Sequence, residues 1–591
     1  MNRCPLLLGL LLLPPLAAQG QGFAAFRTAI AAGGGTSAGG AWQTSGAVGQ
    51  GDAGSLAAAP DGGFAGAGGF WSALLANSNP NRLGASSLLE GPSAGSDSVT
   101  LLLSPFVPGW TASVGANSAW LHLPSGSLAG NTSTNVTFTF DVNSGAPRTG
   151  TLLVAGRPLL VTQAGANYVA AGAVTLVGSG LNYPQGLAAD PSGNIYIADT
   201  DNNAVKLWSP LDGSLTTLPA NGLAGPSGVA VDPWGNVDIA DTGNNALKQW
   251  SPVTAAVSTL FTYGLLSPEG VAVDAGGNVF VADTYHSDIR VWQPLGGTVQ
   301  TLPLSGLSLP YGVAVDFAGN FYLADTGNSL IRKGPPGGTS APGLPITGLS
   351  YPFALAVDGG GALYFADTYN NDIKRWSPAN GQSTTLLGMG LAYPAGVAVD
   401  QAGNVYATDT LDNRLVALPR AFVNPTPRSE PAGAGVDALP AVVPANANLV
   451  QAFAPASDQP WLTITAVTNG IVNFALAANT AHASRLAHIT LLGQSIPVTQ
   501  AAPPGATGLA VIQMGSLQIA DGQLPGDGHF QFNFTGPPGG SYVVWSTVDL
   551  NAPLSQWTLV GNPVETAPGT FRFTSPTPAQ AAQTFYRLQA R

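Results

Sequence analysis

Charge is the scarcest property of this chain. Asp, Glu, Lys and Arg make up 8% of its 591 residues, and 31 acidic residues outnumber 19 basic ones for a formal charge of −12. A nucleic-acid partner needs clustered Lys and Arg to neutralise phosphates, so this balance argues against one. Cysteine occurs once, at Cys4, which excludes internal disulfides and cysteine-built metal sites. Beyond the N-terminal residues no stretch of about 18 uninterrupted apolar residues occurs, so no membrane span is expected.

The N-terminus holds the one apolar run of note. Arg3 is followed by the run from Leu6 to Leu13, then by Leu16-Ala17-Ala18-Gln19-Gly20. A basic start, an apolar middle and a small-residue end make residues 1–20 a secretory signal peptide, with Cys4 inside it. The expected setting is secreted or extracellular. Residues 21–83 are rich in Gly, Ala and Ser, with the phrases Gly39-Gly40-Ala41-Trp42 and Gly68-Gly69-Phe70-Trp71. They read either as a flexible spacer or as a few short strands docked on a neighbour.

Glycine and proline are abundant, 77 and 48 residues, and in the middle of the chain they fall in register. A segment beginning Tyr183-Pro-Gln-Gly-Leu-Ala-Ala-Asp190 returns from Gly225, Ser267, Leu309, Tyr351 and Tyr393, every 42 residues. Each copy continues into a second run such as Gly193-Asn-Ile-Tyr-Ile-Ala-Asp-Thr200 and a third such as Asn203-Ala-Val-Lys-Leu-Trp208. Several short β runs in a unit of about 40 residues make one propeller blade. A fourth run, Thr-Leu before Gly-Leu, is degenerate at Leu344. An extra copy, Thr175-Leu176, precedes the first unit and none follows the last. Residues 173–178 are therefore expected to complete the sixth blade and seal the ring, leaving only short strand edges.

These residues resemble the NHL repeat family, in which Gly-x-Ala-Val-Asp, a strand ending Ala-Asp-Thr and an Asn-x-x-Ile/Val-basic segment recur in this order. The resemblance implies a six-bladed β-propeller over residues 168–422. It does not imply one function, since relatives include protein- and RNA-binding modules as well as lyases and hydrolases. Three departures stand out: Ala354 in place of a turn glycine, Gly334 in place of the strand tryptophan, and Asp238 where other copies have Tyr196 or Phe280. For Asp238, Lys206 and Lys248 are candidate partners, and an outer-edge position is the preferred reading.

The flanks alternate as strands. Trp120, Arg148 and Gln163 before the propeller are matched after it by Trp461, Arg485 and Gln500, with 15 residues from arginine to glutamine in both. Both segments, 84–165 and 428–502, resemble the BACON domain, a small β-sandwich of secreted bacterial proteins for which sugar or mucin binding is the implied role. The two tryptophans read as sandwich core rather than sugar platforms. Residues 507–591, with Phe530-Gln-Phe-Asn-Phe534 and Tyr542-Val-Val-Trp-Ser546, read as a C-terminal β-sandwich. The Pro-rich stretches at Asn424–Pro431 and Ala502–Gly505 read as stiff linkers. The fold class is thus all-β, a six-bladed propeller with flanking immunoglobulin-like sandwiches.

Chemistry is sparse. NHL-type lyases use several histidines at the propeller axis, whereas this propeller has only His286; His122, His482, His488 and His529 lie in the flanks. No Gly-x-Ser-x-Gly elbow or phosphate-cradling loop occurs. The Asp of Ala-Asp-Thr recurs in every copy, so it is expected to close its own turn rather than to act on a substrate. Function should lie where the copies differ: before Gly-x-Ala (Gln185, Ser227, Glu269, Tyr311, Phe353, Ala395) and after Asp-Thr (Asp201, Gly243, Tyr285, Gly327, Tyr369, Leu411). Both sets should ring one mouth, where Glu269, Tyr285, His286, Tyr311, Phe353 and Tyr369 form the candidate ligand surface for an extracellular glycan or protein. The expected function is a non-catalytic binding or scaffold protein without a cofactor. The alternative is a propeller lyase or hydrolase using carboxylates or a bound divalent metal, calcium foremost, at the central channel.

Overall fold

The second run of every repeat is apolar on both faces, and in the computed structural model it forms the wholly buried strand of a blade. The structure describes residues 81–103, 107, 109–481, 483–503, 529–549, 553–576 and 585–590, with short strands at 37–39, 42–44, 57–58, 64–65 and 519–523. The signal segment lies outside the described residues, as does His482. The described residues up to Arg82, with those of 102–110, form one compact unit and the other described residues a second. In the first, Ser37–Gly39 pairs with Trp42–Thr44 and Ala57–Ala58 with Phe64–Ala65.

The second unit is all β apart from single 3₁₀ turns. Blade one runs Pro184–Ala189, Ile195–Asp199, Ala204–Trp208 and Leu215–Thr217 from the inside outwards, and the same antiparallel order repeats around the ring. Blade six has inner strands Pro394–Val399, Val405–Asp409 and Arg414–Leu418, and its outer strand is Val174–Val177, paired with Arg414–Leu418. The ring is therefore sealed by the segment ahead of the first blade, as the phase of the repeat predicts.

Blade four shows how one departure is accommodated. The strand tryptophan normally pairs with a small aliphatic residue on the second strand: Ile195 with Trp208, Val237 with Trp250, Val279 with Trp292, Leu363 with Trp376. In blade four Phe321 faces Gly334, and a Cβ on Gly334 would come within 2.1 Å of the Phe321 ring. The bulk has moved from the third strand to the second with the core kept filled. This blade's outer strand is reduced to one bridge, Arg332 to Gly343, because Pro342 and Pro345 have no N–H to give a ladder.

Glycine at the Gly-x-Ala position answers to the neighbouring blade rather than to a turn, which corrects the expectation. A Cβ on Gly228 would meet the Glu269 carbonyl oxygen at 2.2 Å, and one on Gly312 that of Phe353 at 2.1 Å. Inner strands touch here around the channel. In blade five Ala354 packs its methyl into the core shared with blade six.

Each flanking segment forms two sheets. In the first, Arg148–Val154 pairs with Arg157–Gln163, while Thr134–Phe140 pairs with residues 95–101. In the other, Arg485–Leu491 pairs with Gln494–Gln500, and Ile471–Leu476 with Leu462–Thr468. The arginine-to-glutamine spacing is a cross-strand pair in both. Arg148 Nε donates to Gln163 Oε1 at 2.9 Å and Arg485 Nε to Gln500 Oε1 at 2.8 Å. Each guanidinium lies over a tryptophan, 4.4 Å from Trp120 and 4.3 Å from Trp461, so these rings are occupied by their own domain. A C-terminal core of Phe530, Phe532, Phe534, Tyr542, Phe571 and Phe573 joins two further sheets.

Residues 424–431 do not hold the second sandwich away from the propeller. The two share one core, in which Trp208 meets Phe453 edge-on at 6.4 Å, and Gly172 N–H donates to the Leu492 carbonyl at 2.8 Å. The first sandwich sits on the Asp358 turn of blade five. Thr100 N–H donates to the Gly359 carbonyl at 3.2 Å, and Arg375 Nη2 to Asp97 Oδ1 at 3.0 Å.

Candidate functional site

The inner strand of each blade begins with a proline paired to the Asp that ends the second strand, after which the register slips. The residue after each proline lies in this bulge. All six (Gln185, Ser227, Glu269, Tyr311, Phe353 and Ala395) line one cavity of about 60 Å³ at the channel mouth, whose lining comes wholly from the propeller. The mouth lies at the opposite end of the blades from the Asp358 turn that carries the first sandwich.

Aromatic rings gather on one side of this mouth. Tyr311 and Phe353 stack at 4.4 Å and 13°, and Tyr351 stacks on Tyr369 at 4.5 Å and 23°. Tyr393 joins them, edge-on to Phe353 at 5.5 Å and 5.6 Å from Tyr369, and the Tyr183 hydroxyl bonds to that of Tyr393. Among the sequence candidates, Glu269, Tyr311, Phe353 and Tyr369 come together. Tyr285 is exposed at the rim, close enough to Tyr311 to act on it electrostatically. His286 has another occupation. Its Nδ1 lies 2.8 Å from Asp283 Oδ2, in the place taken elsewhere by Asn202, Asn244, Asn328 and Asn370, whose amides donate to their own blade's aspartate.

Tyr183, Tyr351 and Tyr393 escaped the sequence reasoning, which compared residues after the proline but not before it. They occupy left-handed backbone, φ 52°, 49° and 58°, where a residue preceding proline is ordinarily extended. Side chains of the preceding blade hold them there. Tyr183 N–H donates to Asn413 Oδ1 at 2.6 Å, and Tyr393 N–H to Asn371 Oδ1 at 2.7 Å. Tyrosine at three of six equivalent positions was the available signal.

Glu269 is half-buried in the mouth, with Ser267 Oγ donating to its Oε1 at 3.1 Å. Burial pushes its pKa up to about 7, with hydroxyl bonds from Ser227 and Ser267 opposing the rise. Burial, with the nearby Glu269 charge second, pushes Tyr311 up to about 12.

The aspartate of Ala-Asp-Thr is structural, but it does not close its own turn. Asp325 Oδ1 accepts from Ser308 N–H, 17 residues upstream, at 2.7 Å, while Oδ2 accepts from Asn328 Nδ2 at 2.9 Å and Arg332 Nε at 2.6 Å. The threonine that follows links blades, and at the seam Thr410 Oγ1 donates to the Pro184 carbonyl at 2.8 Å. The other recurrent aspartate does bind its own turn. Asp190 Oδ1 accepts from the N–H groups of Ser192 and Asn194. Among the described residues no group of three or more His, Cys, Asp or Glu is placed to hold a metal ion.

Asp238 is fully buried rather than at an outer edge, and neither expected lysine pairs with it. Lys206 pairs with Asp199 at 3.6 Å and Lys248 with Asp241 at 2.5 Å. Gln249 Nε2 donates to Asp238 Oδ1 at 2.9 Å, and Oδ2 has no hydrogen-bond partner among the described residues. In blades four to six the equivalent tyrosine hydroxyl donates to the turn aspartate, as Tyr364 does to Asp358 Oδ2 at 3.0 Å. In blade two the Gln249 amide reaches towards both carboxylates, 3.4 Å from Asp232 Oδ2. Burial, with the Asp232 charge adding to it, raises the Asp238 pKa to about 7. A folded pKa above the unfolded one means that stability is full at low pH and is lost as pH rises through the folded value. Asp238→Asn is therefore expected to add about 2 kcal/mol at pH 8 and little at pH 5. Urea unfolding at the two pH values checks this, and an equal effect at both would discard it.

Sequence comparison places this geometry in known families. The NHL model, "NHL repeat", matches residues 181–206 and 265–292, and the BACON model, "Putative binding domain, N-terminal", matches residues 452–501. The chain carries NHL repeats and a BACON domain. No curated protein matches it. Among solved structures, the chain is similar to virginiamycin B lyase from Staphylococcus aureus, with 14% identity, 52% of this chain and 99% of that one covered, and a TM-score of 0.35. A gluconolactonase from Xanthomonas campestris has 18% identity, 42% and 89% coverage and a TM-score of 0.37. An auxiliary nutrient binding protein from Bacteroides thetaiotaomicron has 11% identity, 57% and 96% coverage and a TM-score of 0.38. No activity passes to the NHL chain from likenesses this distant. No helix among its described residues is long and apolar enough to cross a membrane.

Proposed function

We propose that this is a secreted, multidomain binding or scaffold protein whose propeller mouth engages an extracellular glycan or protein ligand. The modules are a signal peptide, a Gly-rich segment, a BACON-like sandwich at 84–165, the propeller at 168–422, a second BACON domain at 428–502 and a C-terminal sandwich at 507–591. One observation carries the reading. The blades use the same scaffold six times, yet rings from blades one, four, five and six converge on one side of the mouth while blade two offers Gly225 and Ser227. A scaffold role alone does not require that asymmetry, whereas exposed aromatic surface beside a cavity is a common form of ligand site.

The test is the double variant Tyr311→Ala with Phe353→Ala, screened against polysaccharide and peptide arrays. Loss of a stacked aromatic wall should weaken binding about tenfold or more, with the fold retained by circular dichroism. Unchanged binding of every ligand would remove the mouth from consideration.

A further inference from the structure

Glu269 is a half-buried carboxylate at the mouth with no cation beside it, unlike the strand-end aspartates of the ring. Six blades pair the strand-end aspartate with a Lys or Arg from the third strand. The remaining basic residues of the blades are also engaged, Lys333 over the Tyr322 ring and Arg375 and Arg420 with Asp97 of the first sandwich. Glu269 has only the hydroxyls of Ser227 and Ser267, and it faces a cavity. On the next two blades, lining the same cavity, stand the stacked rings of Tyr311 and Phe353.

We infer that the mouth takes a cationic group, an alkylammonium carried by the ligand, with Glu269 as its counter-ion and the Tyr311–Phe353 stack as its wall. This rests on the mouth reading above and names the ligand's chemistry. A carboxylate withdrawn from water is costly until it is paired, and ring faces attract a cation by their quadrupole. An ammonium satisfies both at once, whereas an uncharged sugar leaves the carboxylate to hold a proton.

Binding should depend on pH with a defined sign. Below pH 7 Glu269 carries a proton that the ligand must displace; above it the carboxylate is free to pair. The titratable groups acting on it are the phenols Tyr183 and Tyr311, both raised and neutral from pH 6 to 8. Affinity should therefore rise between pH 6 and pH 8.

Calorimetric titration of the full chain uses choline, N-acetyl-lysine methylamide, the uncharged isostere 3,3-dimethylbutanol and a cello-oligosaccharide. At least one of the two cations should bind, the isostere being about tenfold weaker or worse. Choline against the lysine derivative tells a free quaternary amine from a peptide-borne one. Glu269→Gln keeps the hydrogen bonds, should weaken cation binding about tenfold and should abolish the rise with pH. The inference is overturned if neither cation binds, if the isostere equals choline, or if Glu269→Gln changes nothing. Oligosaccharide binding that is lost in the Tyr311→Ala, Phe353→Ala variant, with neither cation binding, would retain the mouth and reject its cationic ligand.

Discussion

Replacing the sealing strand by Gly-Ser-Gly-Ser (Val174→Gly, Thr175→Ser, Leu176→Gly, Val177→Ser) is expected to lower the melting temperature of the propeller by on the order of 10 °C. Val177 is buried, and Val174 and Leu176 pack against the core shared by blades one and six and the second sandwich. Removing these side chains costs about 3–5 kcal/mol in burial and cavity terms, and the ladder to Ala417, Val416 and Leu415 goes with them. Blade four has only a bridged outer segment, yet its chain is continuous with both neighbours. At the seam the outer strand is the longer of two backbone links between the ends of the ring, the other being Val169–Ala170 paired with Phe422–Val423. What then remains is that short pair, the apolar packing of blade one on blade six, as of Trp208 on Tyr406, and side-chain bonds such as Thr410 to Pro184 and Thr408 Oγ1 to the Gln185 carbonyl at 2.8 Å. Scanning calorimetry checks this, and an unchanged transition would mean that those remaining contacts close the ring without the outer strand.

Asp325→Ala is expected to cost about 3–5 kcal/mol, the range for removing one partner of a buried ion pair. The carboxylate is fully buried and receives Ser308 N–H, Asn328 and Arg332, whose Nη2 also donates to the Gly306 carbonyl at 2.7 Å. Deletion would leave the half-buried Arg332 and a backbone amide without their acceptor. Asp325→Asn keeps an acceptor without its charge and should cost about half as much. Urea midpoints of the two variants decide the matter. Wild-type stability of the alanine form would show that the carboxylate is not a structural tie, and ligand binding would then be the place to look for its role.

Legibility followed the range of the interactions. The inward set from Gln185 to Ala395 could be read because one position, repeated six times on one scaffold, must project alike. The tyrosines before the proline were as regular in the sequence, but their approach depends on a left-handed backbone held by the neighbouring blade, which no local rule anticipates. His286 was read as part of the ligand surface, and its ring stands where other blades have an asparagine, because its partner Asp283 lies at the end of the preceding strand. Asp238 was read as an outer-edge residue with Lys206 or Lys248 as a candidate partner, and both lysines are committed to Asp199 and Asp241.

The sequence by itself determined the all-β class, the six blades and the strand that seals them, since a 42-residue period with a displaced outer run admits one phase of closure. It also determined that the propeller carries one histidine and no cysteine. Only the tertiary structure decided which aspartates meet cations, why Phe321 can stand opposite Gly334, and that the second sandwich shares a core with the ring across a proline-rich stretch. These outcomes depend on volume and charge balanced between blades far apart in the chain. Such balances are set by packing in three dimensions, and a one-dimensional pattern does not carry them.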